Sequence, residues 1–97
     1  MENKFDINNF VKTLTNQSVL ESLVDRVKQR RKELKLSQME LSKKSGVSYG
    51  SIMRFEQSGN ISLTSLIKIA NAMGYLSDFN LLFDTPAITN LKDYKND

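Results

Sequence analysis

Between residues 37 and 60, side chains able to hydrogen-bond outward recur at helical spacing. Tyr49, Gly50, Met53 and Arg54 share one face of a segment whose opposite face carries Ile52 and Phe55. Arg54 can send two parallel N–H groups to a guanine edge or grip a phosphate. Tyr49 can pack on a thymine methyl or bond a phosphate through its hydroxyl. Gly50 has no side chain and lets a helix come close to the bases, and Met53 offers only apolar contact. Gln38 stands at the start of the preceding helix, where free N–H groups and the helix dipole favour an anion. Ser37, Ser48, Ser51 and Asn60 can add neutral hydrogen bonds to a sugar–phosphate backbone. Lys43 and Lys44 either join them or are simply solvated. Together these side chains have the chemistry to read a duplex: donors for phosphates, and an arginine with small or apolar neighbours for base edges.

The elements that would hold them follow from caps and stripes. Ser18 with Glu21 has the spacing of a capping box, opening a first helix with Leu20, Leu23, Val24, Val27 and Leu34 on one stripe. Arg31 falls on that stripe, and a charge on a buried face needs a partner. Ser37 with Glu40 opens a second helix, which Gly46 ends, and Val47 plugs the turn. Ser48 opens a third helix, with Ile52 and Phe55 inward. Glu56, at the edge of that face, is the natural bidentate partner for Arg31; the other reading is two unrelated surface charges. Gln57 to Asn60 read as a loop. Ser62 opens a fourth helix with the stripe Leu63, Leu66, Ile67, Ala70 and Met73, and Gly74 ends it. Ser77 opens a short fifth helix over 78–83. The second and third helices, joined by a glycine turn, have the form of a helix-turn-helix.

This organisation predicts an all-α, five-helix domain over 18–83, a polar N-terminal segment over 1–17 and a short C-terminal tail over 84–97. Within the first segment Ile7, Phe10, Val11 and Leu14 are spaced for a short helix; a frayed arm is the alternative. Phe79, Leu82 and Phe83 either close the monomer core or form a dimer interface with the adjacent tail.

Composition narrows the function classes. The chain has 97 residues and no Cys or His, which excludes disulfides, thiol chemistry and the usual zinc sites. Without a clustered carboxylate pair either, an enzyme lacks its groups, and neither a metal nor a cofactor is expected. Net charge is only +3, but residues 26–44 hold eight basic side chains against Glu33 and Glu40. Such a local concentration attracts a polyanion, although a solvated helix face has the same composition. No apolar run approaches the ~18 residues of a membrane span. The opening MENKFDINNF lacks the order of a signal peptide, so a cytoplasmic protein is expected.

Residues 24–83 resemble the Cro and lambda-repressor type of helix-turn-helix domain, also called the xenobiotic-response-element family. The resemblance is carried by Arg31, Leu36-Ser37-Gln38, Glu40-Leu41-Ser42, Gly46-Val47-Ser48, Ser51-Ile52 and Phe55-Glu56. It continues through Leu66, Ala70, Gly74 and the apolar turn from Phe79 to Phe83. It implies a five-helix domain that binds a palindromic operator as a homodimer, with Gln38 at a phosphate and Tyr49, Gly50 and Arg54 at bases. It also implies the Arg31–Glu56 pair. Two positions depart from the family: Ser42, where Ala is favoured, must find a backbone acceptor, and Gly50 replaces a common polar reader. The runs 51–63 and 72–79 are similar to HipB-like antitoxins paired with HipA-type kinase toxins. The functions in view are therefore a sequence-specific transcriptional repressor, which the second resemblance makes a self-regulating antitoxin, and alternatively a protein-interaction module that neutralises a toxin without reading DNA.

Overall fold

The computed structural model describes residues 13–87. The proposed short helix at Ile7, Phe10 and Val11 lies outside them, as does most of the tail. Five helices follow in order: α1 (Asn16–Glu33), α2 (Gln38–Ser45), α3 (Tyr49–Ser58), α4 (Leu63–Met73) and α5 (Leu76–Asn80). Among the described residues there is no strand.

The caps fix where each helix starts. Ser37, Ser48 and Ser62 each accept a hydrogen bond from the backbone N–H three residues on, which satisfies a donor that the first turn cannot pair internally. Ser37 and Glu40 form a reciprocal box, with Ser37 N–H donating to Glu40 Oε1 at 2.8 Å. Through that bond Ser37 holds the Glu40 carboxyl below its ordinary range. The α1 start is different. Thr15, not Ser18, is the cap, and Ser18 closes the box from the third helical position. Glu21 is taken instead by Gln17 Nε2 at 2.8 Å.

The core forms where α1, α2, α3 and α4 face one another. Leu41, Val47, Ile52, Ile69 and Met73 make one buried cluster, and Val24, Phe55 and Leu66 make a second. Val27 and Ile61 pack against both. Burying one large aliphatic or aromatic side chain contributes roughly 1.5–3 kcal/mol, so Ile52 and Phe55, almost wholly buried, anchor α3 firmly. Two stripe positions differ from expectation. Leu34 is exposed because α1 closes there and Lys35 turns the chain at φ 60°. Leu63, the first residue of α4, is exposed, and Ile69 fills the core in that helix.

The expected loop at Gln57 is also shorter. α3 runs through Ser58, whose hydroxyl donates to the Arg54 carbonyl at 2.9 Å. Gly59 then reverses the chain at φ 83°, and a Cβ there would sit 2.8 Å from the Leu20 side chain. Only glycine fits both constraints. At the other end, α5 begins at Leu76 and ends at Asn80, not 78–83. Tyr75, not Ser77, holds the cap position, and no side-chain cap opens the helix because a phenol lacks the short acceptor that a first-turn N–H needs. Tyr75 N–H itself donates back to the Ala70 carbonyl at 2.8 Å. Leu81 and Leu82 continue as i−3 turns, and Phe83 stands fully exposed at φ 58°. Leu82 and Phe83 therefore do not close the monomer core.

Candidate nucleic-acid interface

The turn between α2 and α3 is built from four residues. Gly46 adopts φ 79° at the end of α2, a conformation that costs a side-chain-bearing residue ~1 kcal/mol or more. Val47 is buried behind it. The Ser42 hydroxyl donates to the Val47 carbonyl at 2.6 Å, so the hydroxyl that departs from the family has the backbone acceptor it needs. Ser48 then caps α3.

α3 divides its residues cleanly. Ile52 and Phe55 point into the core, while Tyr49, Gly50 and Arg54 are exposed. A Cβ on Gly50 would meet only Arg54 Nη2, at 3.9 Å. The backbone needs no glycine there, and the space over it is open. Met53 and Ser51 are half-buried at the margin of this face. The Ser48 hydroxyl donates to Ser51 Oγ at 2.8 Å and accepts from Ser51 N–H. That leaves the free hydroxyl hydrogen on Ser51. The Ser37 hydroxyl is likewise engaged as a cap, and Asn60 is exposed beyond the end of α3.

An ion pair holds this face against α1. Arg31 Nε donates to Glu56 Oε2 at 2.7 Å and Arg31 Nη2 donates to Glu56 Oε1 at 2.9 Å. Arg31 Nη1 reaches the Leu36 carbonyl at 2.7 Å. The two side chains are only 9% and 4% exposed, so the pair is shielded from water and geometrically fixed. Burial alone pushes the Glu56 carboxyl up. The hydrogen bonds from Arg31 and Gln38 and the charges of Arg31 and Lys28 outweigh it, and the group is held below the ordinary carboxylate range.

The same carboxylate takes a third donor, which the sequence reading missed. Gln38 Nε2 donates to Glu56 Oε1 at 2.9 Å. The candidate phosphate ligand at the start of α2 is thus tied to α3. The eighteen-residue separation gave no signal for it; only the packing of α2 on α3 brings them together. Lys32, Lys35, Lys43 and Lys44 are exposed, whereas Arg30 pairs with Glu33 at 2.8 Å.

A second feature was not visible in the sequence. An open apolar groove of about 330 Å³ runs between α1 and the α4–α5 corner, lined by Val19, Leu23, Ile69, Met73, Phe79 and Leu82 among others. Among the described residues no His, Cys, Asp or Glu cluster could hold a metal ion. No described helix is long and apolar enough to cross a membrane.

Two helices joined by a tight glycine turn, the second exposing Tyr49, Gly50 and Arg54 along one edge, define a helix-turn-helix protein. A helix-turn-helix family model, of the Cro and lambda-repressor type, matches residues 27–79, more than half of the chain. The protein belongs to that family, whose members are DNA-binding regulators of transcription. No curated protein matches the chain.

Proposed function

We propose that this protein is a sequence-specific transcriptional repressor in the cytoplasm that binds a palindromic operator as a homodimer. The observation that carries the proposal is the α3 face. Tyr49, Gly50 and Arg54 are exposed together on a helix whose other side is pinned by Ile52, Phe55 and the Arg31–Glu56 pair. A rigid helix with a small residue between an aromatic and an arginine suits entry into the major groove. Gln38 and Ser51 supply neutral phosphate contacts at its flanks, joined by Ser37 and Asn60. Ser48, whose hydroxyl hydrogen goes to Ser51, serves the contact by holding the Ser51 hydroxyl. Two such domains place their recognition helices ~34 Å apart, one turn of DNA.

The dimer reading draws on the apolar end of the molecule. Leu82 lines the groove of α1 and α4, and it and its chain neighbours Leu81 and Phe83 are exposed. Exposed apolar residues concentrated in this way mark an association surface. The HipB-like runs at 51–63 and 72–79 support an antitoxin role, with a HipA-type kinase as the second partner.

Selection of bound sequences from random duplexes, at a stated salt concentration, tests the function. A recovered palindrome supports both sequence readout and two-fold symmetry. Recovery of no preferred sequence, with binding equal for every duplex, sinks the repressor and leaves the protein-interaction module. Small-angle scattering that shows a monomer both free and on the recovered duplex defeats the dimer.

A further inference from the structure

We propose that Glu56 is a positioning residue for DNA binding: its carboxylate, fixed by Arg31, orients the Gln38 amide toward a backbone phosphate. The proposal rests on the DNA-binding reading above and on three hydrogen bonds of the structure.

The chemistry of the groups sets the orientation. A carboxylate can only accept, so the nitrogen end of the Gln38 amide must face Glu56. The bond of 2.9 Å from Gln38 Nε2 to Glu56 Oε1 has that sense. An amide nitrogen carries two hydrogens, and Glu56 uses one of them. The second remains for another acceptor, and a phosphate oxygen is also acceptor-only. One nitrogen therefore serves both, with its oxygen turned away. Gln38 is half-buried, so the amide is anchored on one side and reachable from the other.

Glu56 cannot itself turn away. Oε1 accepts from Arg31 Nη2 at 2.9 Å and Oε2 accepts from Arg31 Nε at 2.7 Å, which fixes the carboxylate plane. The side chain is 4% exposed, and its lowered pKa keeps it ionised at neutral pH. Without this anchor, a glutamine at a helix start samples several rotamers and presents either end of its amide. Ordering such a side chain during binding weakens affinity by about two- to tenfold. The buried ion pair, in this view, does more than hold α1 to α3. It pre-sets a phosphate ligand on α2.

A double-mutant cycle tests the coupling. The Arg31→Met/Glu56→Met protein replaces the buried pair by apolar side chains, a change that buried pairs often tolerate, and so keeps the fold while removing the anchor. It is compared with the parent in two backgrounds, with Gln38 intact and with Gln38→Ala. Binding to a random-sequence duplex pool is measured by fluorescence anisotropy at one salt concentration, below the melting temperature of every variant. Gln38→Ala should weaken binding by about two- to tenfold. The Met pair should weaken it by most of the same factor when Gln38 is present, and by nothing further when Gln38 is already absent. A purely structural role for Glu56 moves stability but gives no such coupling. Equal losses in both backgrounds, or full affinity for the Met pair with Gln38 intact, overturns the proposal. So does an unaffected Gln38→Ala, although DNA binding then stands. Failure of the parent to bind any duplex overturns the functional reading itself and the proposal with it.

Discussion

Arg31→Met isolates what the buried pair contributes to stability. The substitution keeps an aliphatic stem of similar length but removes three hydrogen bonds: two to Glu56 and one to the Leu36 carbonyl. Glu56 is left 4% exposed with Gln38 as its remaining partner. Breaking a buried pair from one side costs about 3–5 kcal/mol; the Gln38 bond retained by Glu56 places the cost near ~3 kcal/mol. For a domain of this size 1 kcal/mol moves Tm by about 4–8 °C, so a fall of roughly 12–24 °C is expected at neutral pH. The pH dependence supplies an independent check. The folded-state pKa of Glu56 lies below its ordinary value of 4.5. A depressed carboxylate contributes stability above its unfolded pKa and loses it as pH falls through the folded one. In the variant, burial is no longer opposed by Arg31, so the carboxyl takes up a proton at higher pH. The difference between parent and variant therefore shrinks on acidification below the unfolded pKa. Circular-dichroism melts of both proteins at neutral and acid pH measure it. A Tm loss below about 4 °C at neutral pH, corresponding to 1 kcal/mol or less, would refute the buried-pair energetics. A gap of equal size at both pH values would refute the ionic origin.

Gly50→Ala should separate folding from binding. The added Cβ meets only Arg54 Nη2 at 3.9 Å, so stability should rise by about 0.5–1 kcal/mol from helix propensity, while affinity for the selected duplex falls; unchanged affinity in a titration removes Gly50 from the base-facing edge. Arg54→Ala should weaken the selected site by ~1–3 kcal/mol and relax one base position. If repeated duplex selection shows a uniform loss over all sequences, Arg54 is a phosphate contact. Lys35→Gly should raise stability by about 0.5–1 kcal/mol, because Lys35 occupies φ 60° at the end of α1; a lower Tm in thermal melts would count against backbone strain at that position.

Signals that act within one helical turn were legible in the sequence. Ser37, Ser48 and Ser62 announce their helices because the hydroxyl and the N–H it accepts from lie three residues apart. The same rule misplaced the start of α1. Ser18 and Glu21 have the spacing of a box, but Thr15 offers an equivalent hydroxyl one turn earlier, and two short side chains compete for one role. The Arg31–Glu56 pair was legible for a different reason: a charge on an apolar stripe demands an acid from another stripe, and Glu56 stood beside Phe55. Gln38 made no comparable demand. A glutamine at a helix start can be satisfied by water alone, so its bond to Glu56 appears only when α2 and α3 are packed. The groove beside α5 was hidden likewise, since Val19 and Leu82 are too far apart in sequence for any stripe to join them.

These features divide the molecule into two ends with different physics. At one, polar donors are fixed before any partner arrives, because Glu56 ties Arg31 on α1 to Gln38 on α2 through α3. At the other, Leu82 and Phe83 are exposed and α5 spans only Leu76–Asn80, so in the proposed homodimer apolar burial there would wait on association. The first arrangement favours geometric precision on a duplex. The second makes occupancy depend on concentration. The proposed dimeric repressor would use both, with readout set by the rigid end and response to protein level set by the other. Substitution of Phe83 should therefore alter the concentration at which operator is filled without changing which sequence is chosen. A titration of the Phe83→Ser protein against the selected duplex and single-base variants separates the two. A change in base preference would show that the two ends are not independent.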